Sequence, residues 1–231
     1  MLTAERSIKT IFLDAGGVLV WPNWRRIADA LRAHGIDVAP EALAAADPVV
    51  RHQLDLSTGM SAAGDQKRAL RFFEMILARV GVPVSSAAES ALTALRDYHA
   101  KENLWEFVPE FVKPALAELR QQGLKLVVVS NSNGTLQRAF ARLGLAQLVD
   151  VIVDSHEVGA EKPDRRLFDV ALDLSGADRS TTVHLGDLYS IDVVGARNAG
   201  LTGMLVDQAD LYQSVDCSRI RSIAELPSLT R

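Results

Sequence analysis

Five short, continuously apolar runs, at residues 8–14, 124–130, 149–153, 181–186 and 202–206, constrain this chain of 231 residues more than any other feature. They are rich in Val, Ile and Leu and do not alternate with polar residues. Each therefore predicts a strand covered on both faces, as in a parallel sheet. Helical patterns separate the last four runs. Val112, Ala115, Leu116 and Leu119 recur at helical spacing before Gly123 ends the element, and Phe168, Ala171 and Leu172 do the same after Pro163 opens theirs. The pattern is that of an α/β fold with right-handed crossovers. Hydrophobic residues make up 48% of the chain, enough for a sizeable core.

The interval between the first and second runs is too long for one crossover helix. Residues 21–106 carry no strand pattern, but Trp24, Ile27, Ala28 and Leu31 form one amphipathic stripe, and Ala69, Phe73, Ile76 and Val80 form another. The expected division is a Rossmann-like parallel-sheet core of residues 1–20 and 107–231, with residues 21–106 inserted as a helical cap domain. Trp21-Pro22-Asn23 and the neighbourhood of Pro109 serve as hinges, because proline fixes the local backbone and stops helices.

Charge and cysteine usage exclude several classes. Lys and Arg number 25 against 29 Asp and Glu, a net charge of -4, so no global basic field points to nucleic acid or an anionic membrane. An anionic small molecule needs a local positive site instead. Glu5, Arg6, Lys9 and Asp14 interrupt the N-terminal apolar stretch, so neither a signal segment nor a membrane span is expected there. The single Cys217 excludes an internal disulfide framework and suits a reducing compartment, with the cytoplasm as the expected location.

Polar residues stand at the C-terminal ends of the runs, where an open parallel sheet places its ligand. Asp14 ends the first run, and Gly16-Gly17 lets the backbone turn sharply and expose the carboxylate; a solvated turn aspartate is the plain alternative. Ser130-Asn131 precedes a helix beginning near Gly134, where hydroxyl and amides suit an anion or simply a helix cap. Lys162, before Pro163 and a helix, is either a compact cation for a bound phosphate or a hydrated loop lysine. Asp187 and Asp192 suit a hard cation bound through oxygen, or a helix cap.

Taken together and in this order, FLDAGGVLV (12–20), VVVSNSN (127–133), EKPDRRLF (161–168) and VHLGDLYSID (183–192) resemble the motifs of the haloacid dehalogenase-like hydrolase superfamily over nearly the whole chain. The resemblance implies a Mg2+-dependent phosphatase acting on a small phosphorylated metabolite through an aspartyl phosphate. Asp14 is then the nucleophile, with Ser130 and Lys162 stabilising the transferring group. Mg2+ is held by Asp14, the backbone carbonyl of Gly16 and Asp187, and Asp192 orients Lys162 or the metal's water shell. The helical insertion resembles that family's class-1 cap. Its segment DLSTGMSAAGD (55–65) resembles the cap loop that dips toward the active site, which makes Thr58 and Gly59 candidate substrate contacts beside Ser130 and Asn131, with an ordinary helix–helix turn as the plain alternative.

The chain departs from that pattern at Gly16, where most phosphatases of the family carry a second aspartate as general acid and base. Such a group typically contributes about 10²–10⁴-fold. Either the leaving group is good enough to need little protonation, or the cap lends a donor, with His52, His34 and Lys67 as candidates. The missing acid also keeps open a metal-independent 2-haloacid dehalogenase, with Arg25 or Arg26 pairing with the substrate carboxylate. The acids of GDLYSID argue against it. A third reading is a catalytically impaired binding protein. Trp21 and Trp24 near the first hinge suit either the core or closure over a substrate, while His99, His156 and His184 lack metal-ligand spacing and receive no role.

Overall fold

The structure, a computed structural model, describes residues 8–57 and 64–230. Its strands are β1 (Thr10–Leu13), β2 (Trp21–Pro22), β3 (Trp105–Phe107), β4 (Lys125–Ser130), β5 (Val151–Asp154), β6 (Thr182–Gly186), β7 (Thr202–Val206) and β8 (Ser218–Ile220). Six of them form one parallel sheet in the order β5-β4-β1-β6-β7-β8. β1 sits between β4 and β6, with Leu13 opposite Val128 and Leu185. The chain runs outward from β1 through β4 to β5, then returns to the other side of β1 at β6. That reversal places a crevice at the carboxyl ends of β1 and its two neighbours.

Continuous apolar runs form these strands because both faces are covered. Ile11 and Leu13 enter one core cluster with Leu126, Val128 and the helical residues Val112, Leu116 and Leu119, whereas Phe12, Val127 and Val129 enter another with Leu167, Phe168, Ala171 and Leu172. The eighth strand has no apolar run. It lies at the sheet edge beside β7 and pairs through Ser218, Arg219 and Ile220.

Four helices fill the interval between β2 and β3: α1 (Trp24–Ala33), α2 (Pro40–Leu56), α3 (Asp65–Arg79) and α4 (Ser86–Glu102). They share a separate apolar cluster that includes Trp24, Ile27, Leu31, Leu43, Val50, Phe72, Ile76 and Leu95. The buried stripe of α3 runs through Phe72, Ile76 and Leu77, so the expected Phe73 stripe is rotated by one residue and Phe73 is only partly buried. Residues 21–106 are also not strand-free, because β2 and β3 pair antiparallel at the two junctions with the sheet. The remaining α-helices are α5 (Val112–Gln121), α6 (Leu136–Arg142), α7 (Ser155–Val158), α8 (Arg165–Ser175), α9 (Val194–Asn198) and α10 (Leu226–Leu229). None of the described helices is long and apolar enough to cross a membrane.

Candidate active site

The crevice at the strand ends gathers charge. Lys162 lies in the loop between α7 and α8 and is only 1% exposed, so it is not a hydrated residue. Its Nζ donates to Asp192 Oδ1 at 2.7 Å and lies 2.8 Å from Asp14 Oδ1. The contact with Asp14 is an ion pair without hydrogen-bond alignment, and Asp14 Oδ1 is left as a buried oxygen with no hydrogen-bond partner. The lysine backbone is clamped by Asn131, whose Oδ1 accepts from Lys162 N at 2.7 Å while its Nδ2 donates to Lys162 O at 3.0 Å. Asn131 lines the cavity, but both polar atoms of its side chain are used to position Lys162.

Asp192 lies in the helical turn after β6. Its Oδ1 also faces His184 Nε2 at 3.0 Å, and its Oδ2 accepts from Leu188 N at 3.0 Å. Burial raises a carboxyl pKa, but Lys162 and His184 overcome it and hold Asp192 well below the usual carboxylate range. Burial likewise opposes the charge on Lys162, and the attraction of Asp14 and Asp192 wins, raising its pKa. His184, given no role on its sequence spacing, touches this acid because β6 carries the histidine and the helical turn after it carries Asp192.

Asp187 follows β6, and its Oδ2 accepts from Arg51 Nη1 at 2.9 Å. Arg51 reaches in from α2 and also pairs with Asp47 one turn earlier on the same helix. Four carboxylates, Asp14, Asp47, Asp187 and Asp192, thus meet the two cations Arg51 and Lys162. The consequence falls on Asp187, whose pKa is pushed up to about 8 by burial, with Arg51 pulling down and Asp14, Asp192 and Asp47 pushing further up. Oxygens of Asp14, Asp187 and Asp192 lie within 4.8 Å of one another. An all-oxygen set in which four carboxylates outnumber two cations fits a hard divalent cation. Asp192 is the least available ligand, since both its oxygens are already engaged.

Glycines leave room for this cluster. Gly17 has φ +73°, and a Cβ there would lie 2.2 Å from Asp187 Oδ2. At Gly16 a Cβ would lie 3.2 Å from Trp105 Nε1, so an indole edge borders the position of the side chain this chain lacks.

Ser130 ends β4 and lines the same cavity, of about 120 Å³, together with Asp14, Lys162, Asp187 and Arg51. Three of the amides downstream are engaged within the protein. Gly134 N and Leu136 N donate to Asp154 Oδ2 at 3.0 and 3.3 Å, and Ser132 N donates to Ser155 Oγ at 3.0 Å, so the end of β5 holds the loop after β4 in place.

Other expected positions lie elsewhere. His34 is exposed, with Nδ1 2.9 Å from Ala30 O, and Lys67 is exposed on α3. His52 packs edge-on against Tyr212 in a neighbouring cleft. Arg26 pairs with Glu106 at 2.8 Å and Arg25 is exposed, so neither lines the cavity. Trp21 packs against Phe111, and Trp24 belongs to the helical cluster. Thr58 and Gly59 lie outside the described residues. The cavity wall is instead made by Arg51, Arg68, Phe72, His99, Asn103 and Trp105. Charge or aromaticity at single positions gives no sign of this wall, which only the packing of α2, α3, α4 and β3 over the strand ends creates.

A sequence model of the haloacid dehalogenase-like hydrolases matches residues 8–200. A ribulose-1,5-bisphosphate 5-phosphatase from Halopiger xanaduensis is 32% identical over 188 residues, which cover 79% of this chain and 76% of that protein. The mouse haloacid dehalogenase-like hydrolase domain-containing protein 3 is 31% identical over 150 residues, covering 65% of this chain and 59% of its own length. Among solved structures, the HAD-hydrolase YfnB from Bacillus subtilis superposes with a TM-score of 0.71 at 18% identity, covering 98% of this chain and all of that one, 100%.

Proposed function

The chain belongs to the haloacid dehalogenase-like hydrolases, and from that premise we propose that it is a Mg2+-dependent phosphatase acting on a small phosphorylated metabolite through an aspartyl phosphate on Asp14. The carrying observation is the buried ammonium of Lys162 held between Asp14 and Asp192 at the switch of the sheet. Residues 21–106 are the cap and residues 1–20 and 107–231 the core in this reading, which is supported by the separate apolar cluster of α1–α4. The cytoplasm is its proposed location.

Asp14 stands at the end of the central strand, its backbone N–H tied to Leu185 O at 2.9 Å, so its carboxylate is presented from a rigid edge. One oxygen attacks phosphorus in line, and the bond to the leaving oxygen breaks. Lys162 neutralises the phosphoryl oxygens from one side, while the Ser130 hydroxyl donates from the neighbouring strand end. Asn131 and Asp192 position Lys162 through its backbone and its ammonium. Asp14, Asp187 and the Gly16 carbonyl, with Asp192 as their neighbour, would hold Mg2+, which would supply the further positive charge that phosphoryl transfer requires. Arg51 and Arg68 line the opposite wall and suit the anionic remainder of a substrate.

The dehalogenase reading has Gly16 in its favour, but it gives no part in the reaction to the Asp187 carboxylate that stands within 4.8 Å of Asp14. An assay of phosphorylated metabolites with and without Mg2+, run on the wild type and on Asp14→Asn, tests the proposal. Phosphate release that requires both Mg2+ and Asp14 is expected. Metal-independent halide release from a 2-haloacid, with no phosphate release, overturns it.

A further inference from the structure

We propose that the indole N–H of Trp105 and the Nε2–H of His99 hold the substrate's leaving oxygen as neutral hydrogen-bond donors in place of a proton-transferring side chain at position 16. The enzyme then acts on phosphoryl compounds whose leaving group is stable as an anion: acyl, enol or anomeric phosphates. This inference rests on the phosphatase reading of Asp14.

The placement is specific. A Cβ on Gly16 would meet Trp105 Nε1 at 3.2 Å and Cδ1 at 3.4 Å, so the indole edge borders the ground that a residue-16 side chain would take. No described residue accepts the Nε1 proton, and Trp105 lines the cavity with Asp14 and Gly16. His99 lines it too, with its ring centroid 5.3 Å from that of Trp105. Leu104 N–H donates to His99 Nδ1 at 3.0 Å, which fixes the acceptor nitrogen and leaves the proton of the neutral ring on Nε2. Burial lowers the His99 pKa and so favours that neutral ring.

The segment carrying both donors is pinned. Asn103, 4% exposed and at φ 67°, turns the chain between them; its Oδ1 accepts from Trp105 N at 3.0 Å and its Nδ2 donates to Thr135 Oγ1 at 3.0 Å. Asn133 Nδ2 donates to His99 O at 3.0 Å, tying the end of α4 to the loop after β4. The two donors therefore stand on a fixed wall of the cavity that Asp14 also lines.

Their chemistry differs from that of an acid. Indole and neutral imidazole donate hydrogen bonds but do not release protons at neutral pH. The three carboxylates of the cavity, Asp14, Asp187 and Asp192, are occupied at the phosphoryl end. When an Asp14 oxygen bonds to phosphorus, the bond to the leaving oxygen breaks with its electron pair on that oxygen. The anion accepts from Trp105 and His99, and solvent protonates it after release. The aspartyl phosphate is itself an acyl phosphate. Water then adds to phosphorus, the Asp14–phosphorus bond returns its pair to the carboxylate, and the water's proton passes to the departing phosphate. Neither bond cleavage needs a leaving-group acid, provided the substrate's leaving group is a weak base.

The test is the dependence of kcat/KM on leaving-group basicity, measured with Mg2+ on acetyl phosphate, a graded set of aryl phosphates and glycerol phosphate. The wild type is expected to favour acetyl phosphate over glycerol phosphate by at least about 10²-fold, the lower bound of what a general acid supplies. Trp105→Phe keeps the packing and removes one donor. Its loss should grow along the series to about 10²–10³-fold at the most basic leaving group, the usual effect of deleting an oxyanion donor. His99→Gln, which keeps an N–H, should lose less than His99→Leu. A wild type equally fast on glycerol and acetyl phosphates overturns the proposal, and so does a Trp105→Phe loss that is absent or uniform across the series, as a purely structural role would give. Asp14→Asn distinguishes the two levels: retained phosphate release in that variant overturns the nucleophile assignment itself.

Discussion

Replacing Lys162 by methionine removes the ammonium held 2.8 Å from Asp14 and 2.7 Å from Asp192 while keeping an unbranched stem of similar length. Lys162 and Asp192 are each 1% exposed, so the variant strands a buried carboxylate that has lost its cation. Breaking a buried pair by removing one partner costs about 3–5 kcal/mol. For a chain of this size each kcal/mol shifts Tm by about 2–4 °C, giving a fall of roughly 6–20 °C. Urea unfolding and calorimetry of the chelated protein read both numbers. The Lys162 pKa is raised, so its contribution is lost only as pH rises above the usual lysine value; that of Asp192 is lowered, so its contribution is lost only as pH falls below the usual carboxylate value. The difference between wild type and variant should therefore hold across about pH 5–9. Combined with Asp192→Asn, the losses should be less than additive by about 0.5–3 kcal/mol. A Lys162→Met cost below about 1 kcal/mol, the worth of a surface pair, refutes the reasoning.

Glu106 joins both junctions, accepting from Arg26 at 2.8 Å, Asn23 at 3.0 Å and Tyr98 at 2.9 Å, and although burial raises its pKa these donors hold it below the ordinary value. Its contribution is thus present above the unfolded carboxylate pKa and lost as pH falls through the lower folded one, so Glu106→Gln should flatten the acid limb of the Tm-against-pH curve; an unchanged limb contradicts this. Asp55, on α2, accepts from Tyr189 N at 2.9 Å, Ser190 N at 3.0 Å and Tyr212 Oη at 2.7 Å, which fastens that helix to the turn after β6. Asp55→Asn replaces a charged acceptor whose hydrogen bonds are worth about 1.5–3 kcal/mol each, and amide exchange should quicken at residues 189–193 and in the last turns of α2; unaltered exchange there would show that the contact fastens nothing.

The parallel sheet was legible because five strands have to be apolar on both faces, and the run at residues 10–13 shows why: Phe12 feeds one cluster and its neighbours Ile11 and Leu13 the other. β8 escaped because an edge strand needs no such run, and β2 because two residues, one of them proline, carry no period. Asp14, Lys162, Asp187 and Asp192 were readable as a set because each follows or closes an element of that sheet. Arg51 was not, since it meets Asp187 across 136 positions of sequence. His99 and Trp105 looked unremarkable for the same reason, as only the fold of α4 and β3 over Gly16 gives them a shared wall.

The central claim is a covalent bond between phosphorus and the Asp14 carboxylate. Borohydride reduction during turnover of acetyl phosphate with Mg2+, followed by peptide mass spectrometry, tests it directly, because reduction converts an aspartyl phosphate to homoserine. The account predicts homoserine at position 14 and at no other aspartate. Unmodified Asp14 in an enzyme that is releasing phosphate would contradict it.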